Sequence, residues 1–215
     1  GVSQRLFAAV AIGLVFGTGY YYAMNGGPVL ALFGIALGVY LIVGSVTDVA
    51  LRSGLGKVAR NVAWRRFTGL PRSAFGTALA HIGLGVTLIG IVAVTAFETE
   101  TVVEMKPGMT VEAGGYTLRF DGMRNGSGPN YTEESGHFTI SRGGVAVSEV
   151  WSSKRLYQAR RMPTTEAGIR TFGLSQLYVS LGDQIGEGGI VVRIWWKPMI
   201  LCIWGGTLFM IAGGG

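Results

Sequence analysis

The stretch Ser73–Phe97, with the sequence SAFGTALAHIGLGVTLIGIVAVTAF, is long, apolar and free of formally charged residues. A helix needs roughly 20 predominantly apolar residues to cross the hydrocarbon core of a bilayer, which is about 30 Å thick. This stretch is longer than that requirement. It therefore predicts a transmembrane helix, and the neighbouring segments can be interpreted relative to it.

Three other stretches have the same apolar character: Leu6–Met24, Pro28–Val46 and Ile194–Ala212. The chain of 215 residues is 49% hydrophobic and 14% charged, with a mean hydropathy of +0.42, which is too apolar for an ordinary soluble domain. We therefore expect an α-helical multi-span membrane protein, with three helices in residues 1–97 and a last one in residues 194–215. Because the chain begins with Gly1 and ends in three glycines, we also expect it to be part of a longer polypeptide.

The loop of residues 50–72 contains basic residues and no acid, which predicts the orientation in the membrane. Short cytoplasmic loops are enriched in lysine and arginine, so we expect this loop to be cytoplasmic and residues 98–193 to lie on the outer side. The net charge of +6 then needs no nucleic-acid partner. The cations of the loop are Arg52, Lys57, Arg60, Arg65, Arg66 and Arg72.

Residues 98–193 have a different pattern, because short runs of alternating apolar and polar residues are separated by turns rich in glycine. This pattern predicts antiparallel strands, and we expect a small inserted all-β domain, either a sandwich or an open barrel. Four runs show the alternation: 116–120, 137–140, 176–181 and 190–194. Trp195 and Trp196 are expected to begin the last membrane span at the headgroup level, where Lys197 would need no buried partner.

His81 is the ionisable residue of the apolar stretch, and such a residue inside a membrane helix is a functional hypothesis by default. Its helical neighbours Thr77, Ala78 and Gly85 are small, which leaves a recess for either a second helix or a flat ligand such as a porphyrin. Neutral imidazole is a common axial ligand of haem iron. The alternative is that His81 only hydrogen-bonds a polar group on a neighbouring helix.

Two further features are weaker candidates for a site. His137 lies on a strand face with Thr139, so an exposed surface histidine is the interpretation favoured over a haem ligand. The basic segment that contains Arg155, Arg160 and Arg161 can hold propionates or an acidic partner, although a solvated basic face is the simpler interpretation. No catalytic side chains stand out, and the lone Cys202 excludes an internal disulfide or a two-thiol metal site.

Five segments of the chain together have a distinctive sequence. They are Ala78–Gly83 followed by Ile89-Gly90, Lys106-Pro107-Gly108 leading to Gly115-Tyr116, Met162–Ile169, Leu177–Gly182, and Trp196-Lys197-Pro198. These segments resemble the CcmF family, the haem lyase subunit of bacterial cytochrome c maturation, in its C-terminal portion. Their order and the expected topology both agree with that family.

The resemblance implies a component of a holocytochrome c synthase in the bacterial inner membrane, with the β domain in the periplasm. Such a component helps to attach haem, its substrate, to C-x-x-C-H sites of apocytochrome c. The position of His81 matches an axial ligand of an intramembrane b-type haem, whose second ligand lies outside this chain. The implied partners are the lipid bilayer, the haem chaperone CcmE, the subunits CcmH and CcmI, and apocytochrome c.

Two other functions remain open from the residues. The chain would be a permease for haem or another small molecule if His81 lined a translocation path. It would be a non-catalytic assembly scaffold if the β domain only docked partners of the maturation complex.

Overall fold

The structure is a computed structural model that describes residues 2–158, 162–186 and 188–214, with side chains from Phe7 onward. It divides into two compact units, Gly1–Phe97 with Pro198–Gly215, and Glu98–Lys197. The first contains five helices: α1 Val2–Ala23, α2 Val29–Ser53, α3 Arg60–Thr68, α4 Arg72–Phe97 and α5 Ile200–Gly214. The second contains nine strands: β1 Thr99–Met105, β2 Thr110–Ala113, β3 Tyr116–Ser127, β4 Tyr131–Arg142, β5 Val145–Tyr157, β6 Pro163–Glu166, β7 Gly168–Phe172, β8 Ser175–Ile185 and β9 Gly189–Lys197.

The long helices of the first unit pack in the spatial order α1, α2, α4, α5. Small residues allow close contact, because a Cβ atom on Gly85 of α4 would lie 2.6 Å from the carbonyl oxygen of Gly38 on α2. On the opposite side of α4, a Cβ atom on Gly83 would lie 2.5 Å from the carbonyl oxygen of Gly206 on α5. Two helices, α2 and α4, are long and apolar enough to cross a membrane, whereas α5 and the apolar part of α1 are shorter.

Helix α2 continues beyond the apolar stretch that ends at Val46. The turn that follows stays helical, and Asp48 and Arg52 form an ion pair in it, four residues apart at 2.7 Å, which adds a little to its stability. The helix ends at Gly54, which adopts a left-handed conformation with φ of 76°. The expected loop therefore begins later than predicted, and it contains the short helix α3, which the hydropathy pattern did not predict.

The second unit is a β-sandwich, which confirms one of the two predicted β architectures. One sheet has the strand order β1-β9-β8-β7 and the other has the order β2-β3-β4-β5-β6. Their facing side chains form a core that includes Phe120, Phe138, Leu177 and Val192, all fully buried. The four runs of alternating residues fall in β3, β4, β8 and β9, so the alternation predicted these strands correctly.

The boundary between the sandwich and the last helix differs from the expected one at Ile194. Strand β9 continues to Lys197, because Trp196 pairs with both Thr99 of β1 and Leu177 of β8. Helix α5 begins only after Met199, whose φ of 53° separates the two elements. Trp195 and Trp196 therefore belong to a strand and do not begin the last helix. Lys197, which was expected to need no partner, forms an ion pair with Glu98, with 2.6 Å between Nζ and Oε2.

Candidate functional site

His81 lies in the first half of α4, and its side chain is exposed. The ring nitrogen Nδ1 is 2.7 Å from the carbonyl oxygen of Thr77, one turn earlier in the same helix. A carbonyl oxygen only accepts hydrogen bonds, so Nδ1 must carry the proton in this contact. Nε2 is then the nitrogen that could bind a metal, and in metal-binding histidines a hydrogen bond of this kind orients the ring.

The two predicted uses of the small residues around His81 occur on different faces of α4. Gly85 is used for packing, since it faces Gly38 of α2. His81 itself opens onto a cleft of about 720 Å³ between the first half of α4 and the end of α5. Small residues, Gly76, Ala80 and Gly213 among them, form much of its wall. Phe75 and Leu79 line it as well, so a flat ligand there would lie beside both small and bulky apolar side chains.

The alternative role of His81, a hydrogen bond to another helix, does not describe the contact that the structure shows. Its partner is the backbone of its own helix. This contact uses one ring nitrogen and leaves the other available to a metal. Arg72 lines the same cleft and supplies a cation there. The residues present therefore fit a planar, anionic group with a metal at its centre.

His137 in the sandwich differs from His81, because both of its ring nitrogens lie close to carboxylates and neither is left available. Nε2 is 2.9 Å from Oε2 of Glu149, and Nδ1 is 3.3 Å from Oδ2 of Asp121. The ring also stacks on Trp151, with 4.2 Å between the ring centroids. Binding of iron would require one of these contacts to break, which argues against His137 as a haem ligand.

Asp121 is the centre of this polar cluster on the outer face of β3, β4 and β5. Partial burial acts to raise its pKa, but hydrogen bonds from the hydroxyl of Thr139, at 2.6 Å, and Nε of Arg119, at 2.7 Å, outweigh that effect. The pKa of Asp121 is consequently lowered from its ordinary value. The carboxylate thus remains charged and orders the side chains around it.

Of the predicted docking cations, only Arg155 lies within the described residues, since Arg160 and Arg161 fall outside them. Its Nε donates to Glu133 at 2.9 Å, and this bond raises the pKa of the guanidinium despite partial desolvation. A second carboxylate, Glu166, is 3.7 Å away, and the guanidinium lies over the ring of Tyr131. Arg155 is therefore engaged within its own sheet.

A neighbouring residue that sequence reasoning missed is Arg124 on β3. Its guanidinium lies 5.0 Å above the ring of Trp151, and within the described parts of the chain it has no carboxylate partner. Arg124, Trp151 and Arg155 line one groove of about 500 Å³ on the sandwich. Register brings these residues together, because β4 lies between β3 and β5 and pairs His137 with Trp151. Strand alternation alone could have indicated the shared face, but not the pairing.

Comparison with known proteins identifies the family. Residues 96–198 match the family described as the CcmF C-terminal beta-sandwich. The cytochrome c-type biogenesis protein CycK of Rhizobium meliloti is 78% identical over 100% of this chain and 32% of its own length. The chain belongs to the CcmF family, in its C-terminal portion. The cytochrome c-type biogenesis protein CcmF of Pseudomonas aeruginosa is 35% identical over 100% of this chain and 31% of its own length.

A solved structure, the cytochrome c haem lyase CcmF, has the same fold as this CcmF-family chain. The TM-score is 0.73, with 18% sequence identity, and the match covers 98% of this chain and 33% of the other. At that identity the likeness concerns the fold alone. The chain spans about a third of the length of the curated relatives that it matches.

Proposed function

We propose that this CcmF-family chain is part of a cytochrome c haem lyase and holds one side of an intramembrane b-type haem through His81. The observation that carries the proposal is the hydrogen bond from Nδ1 of His81 to the carbonyl oxygen of Thr77, which leaves Nε2 available to a ligand. The relatives are named as cytochrome c-type biogenesis proteins, and c-type cytochromes contain haem. Haem is therefore the ligand that we propose for the adjacent cleft. The second axial ligand would come from outside this chain.

The membrane location rests on the apolar surface of the helices. Val15, Leu30 and Leu208 are 70%, 81% and 67% exposed, on three different helices. Outward-facing apolar side chains on several long helices favour an apolar surrounding, so we propose that α1, α2, α4 and α5 all lie in the bacterial inner membrane. With the basic loop in the cytoplasm, the two chain connections to the sandwich lie on the periplasmic side.

In this proposal the chain's own residues orient and tune rather than act as nucleophiles. Thr77 keeps the proton on Nδ1 of His81, and Arg72 offers a guanidinium to a propionate in the same cleft. A bound haem would supply one-electron redox chemistry. The thiols and the vinyl groups that become bonded are carried by the two substrates, apocytochrome c and haem, so no side chain of this chain needs to form a covalent intermediate.

The sandwich is proposed as the surface on which partners dock. The groove beside Arg124 and Trp151 combines an unpaired guanidinium with an aromatic ring, a pairing that is common in binding sites. Candidate partners are CcmE, CcmH, CcmI and apocytochrome c. A docking role for Arg155 stays a prediction, and it would require a partner carboxylate to compete with Glu133.

The permease alternative has less support than the haem lyase. Transporter sites usually involve interrupted helices at the middle of the membrane, whereas α2 and α4 are continuous over their described ranges. The scaffold alternative is compatible with docking by the sandwich, but it leaves the orientation of His81 without a role.

The test is a reduced absorption spectrum of the purified full-length protein. His81→Ala should lose most of the b-type haem signal per protein, because removal of an axial ligand weakens iron binding. His137→Ala is the matched control, since it also removes an imidazole, and it should retain the wild-type spectrum. A full b-type signal in His81→Ala would show that another residue binds the iron.

A further inference from the structure

The short helix α3 is amphipathic and packs against the end of α2. Ala63 is buried at the contact, whereas Trp64 is 66% exposed. The ring of Trp64 stacks on Phe67 at 5.7 Å between centroids, and Phe67 in turn contacts the edge of Phe75 at the start of α4. One face of α3 thus packs against α2 and the start of α4, and the side chain of Trp64 points outward.

An apolar groove of about 450 Å³ lies between α3 and the last turns of α2. Most of its lining is apolar, and Arg60 is its charged lining residue. The apolar residues include Val46, Ala50, Leu55, Trp64 and Phe67. Val46 and Leu55 are 53% and 61% exposed. An apolar groove with one guanidinium has the shape and the chemistry to accept an acyl chain with an attached anion.

The net charge around the groove is positive. Arg52 is neutralised by Asp48. The other cations of residues 50–72 are exposed, and the described part of the chain gives none of them a carboxylate partner. They are Lys57, Arg60, Arg65, Arg66 and Arg72. This excess of unpaired positive charge favours an anionic occupant over a neutral one.

We propose that the groove binds an anionic phospholipid, with an acyl chain along Val46, Leu55 and Trp64 and the phosphate at Arg60. The inference rests on the proposed membrane location. Helix α2 has 25 residues, about 38 Å at 1.5 Å per residue, so its end extends beyond a hydrocarbon core about 30 Å thick. The groove at that end then lies at the headgroup level, where tryptophan is enriched and basic residues meet anionic lipids.

The test is native mass spectrometry of the full-length protein released from micelles that contain equal amounts of phosphatidylglycerol and phosphatidylcholine. The wild-type protein should retain phosphatidylglycerol in preference. Arg60→Gln should reduce that preference roughly fivefold, the effect expected for one basic residue near an anionic lipid surface. Trp64→Ala should lower the retention of both lipids, because it removes part of the groove that holds the acyl chain.

Arg52→Gln is the matched control, since it removes an arginine that is already paired with Asp48 and does not line the groove. It should keep the wild-type ratio of lipids. An unchanged ratio in Arg60→Gln, or an equal loss in Arg52→Gln, would overturn the proposal, as would a bound peptide in place of lipid. The haem spectrum separates this result from the proposed function, because His81→Ala should leave lipid retention intact and Arg60→Gln should leave the spectrum intact.

Discussion

The two histidines of the described chain differ in what occupies their ring nitrogens. His81 uses only Nδ1, in a bond to the backbone of its own helix. His137 is engaged at both nitrogens by Asp121 and Glu149 and is covered on one face by Trp151. A metal ligand needs a free lone pair and a fixed ring. Only His81 offers both, and residue type alone could not have made this distinction.

The lowered pKa of Asp121 predicts an acid-dependent loss of stability. In the folded protein, Thr139 and Arg119 favour the carboxylate, so its pKa lies below that in the unfolded chain. The stabilisation is then complete above the ordinary value of about 4 and is lost as the pH falls through the lower folded-state pKa. The measurement is the thermal midpoint of wild type and Asp121→Asn between pH 3 and 7. Asp121→Asn should be less stable near neutral pH, and the gap should close in acid.

The control for this experiment is Asp183→Asn. The side chain of Asp183 is 96% exposed and contacts Lys154 alone among the described ion pairs, so the substitution should follow the wild-type profile. A gap between wild type and Asp121→Asn that is the same at every pH would mean that the contacts of Asp121 do not depend on its charge.

At the scale of elements, the glycines of α4 and α5 determine how closely these helices approach. Gly76 and Gly83 are seven residues apart, which is two helical turns, so they share a face. Gly213 and Gly206 oppose them, and each of the four would place a Cβ atom within 2.6 Å of a carbonyl oxygen across the interface. Small residues at such spacings permit close backbone contact between membrane helices.

Gly205 and Gly206 provide a matched pair that tests this packing. A Cβ atom on Gly206 would overlap the hydroxyl of Thr87 and lie 2.5 Å from the carbonyl oxygen of Gly83, whereas Gly205 has open space around it. Gly206→Ala should therefore destabilise the full-length protein by about 1–3 kcal/mol, the usual cost of overpacking. Gly205→Ala should be close to neutral. The thermal unfolding midpoints of the two variants in detergent test this difference. Equal midpoints would show that the extra methyl group at Gly206 is accommodated without loss of stability.

Patterns of burial explain which elements could be predicted from the sequence. Strand β4 was predictable because its alternation is regular, with Phe138 and Ile140 fully buried. Strand β5 was not, since it turns a serine, Ser152, toward the interior, where it donates to the carbonyl oxygen of Glu166. Helix α3 escaped prediction because nine residues with three arginines do not form an apolar stretch. Hydropathy locates elements whose apolar residues are buried in a regular pattern, and neither β5 nor α3 has such a pattern.

At the scale of the whole molecule, the proposed topology places the basic loop of residues 50–72 and the sandwich on opposite sides of the membrane. The sequence predicts this arrangement from charge alone, since the loop is basic and the outer segment is nearly balanced. What charge cannot predict is where the membrane helices end. Helix α2 extends past its apolar stretch to Ser53, and β9 occupies the expected start of the last span because its backbone pairs with β1 and β8.

The topology is testable with single cysteines in the full-length protein. Val145, 66% exposed at the start of β5, and Lys57, exposed in the loop, are suitable positions, and the native Cys202 is buried. A membrane-impermeant maleimide should label Val145→Cys in spheroplasts, because the sandwich is proposed to face the periplasm. Lys57→Cys should react only after the membrane is broken. The unsubstituted protein gives the background. Labelling of both cysteines before lysis would place the loop and the sandwich on the same side, and the basic residues around Arg60 would then need a partner other than the cytoplasmic leaflet.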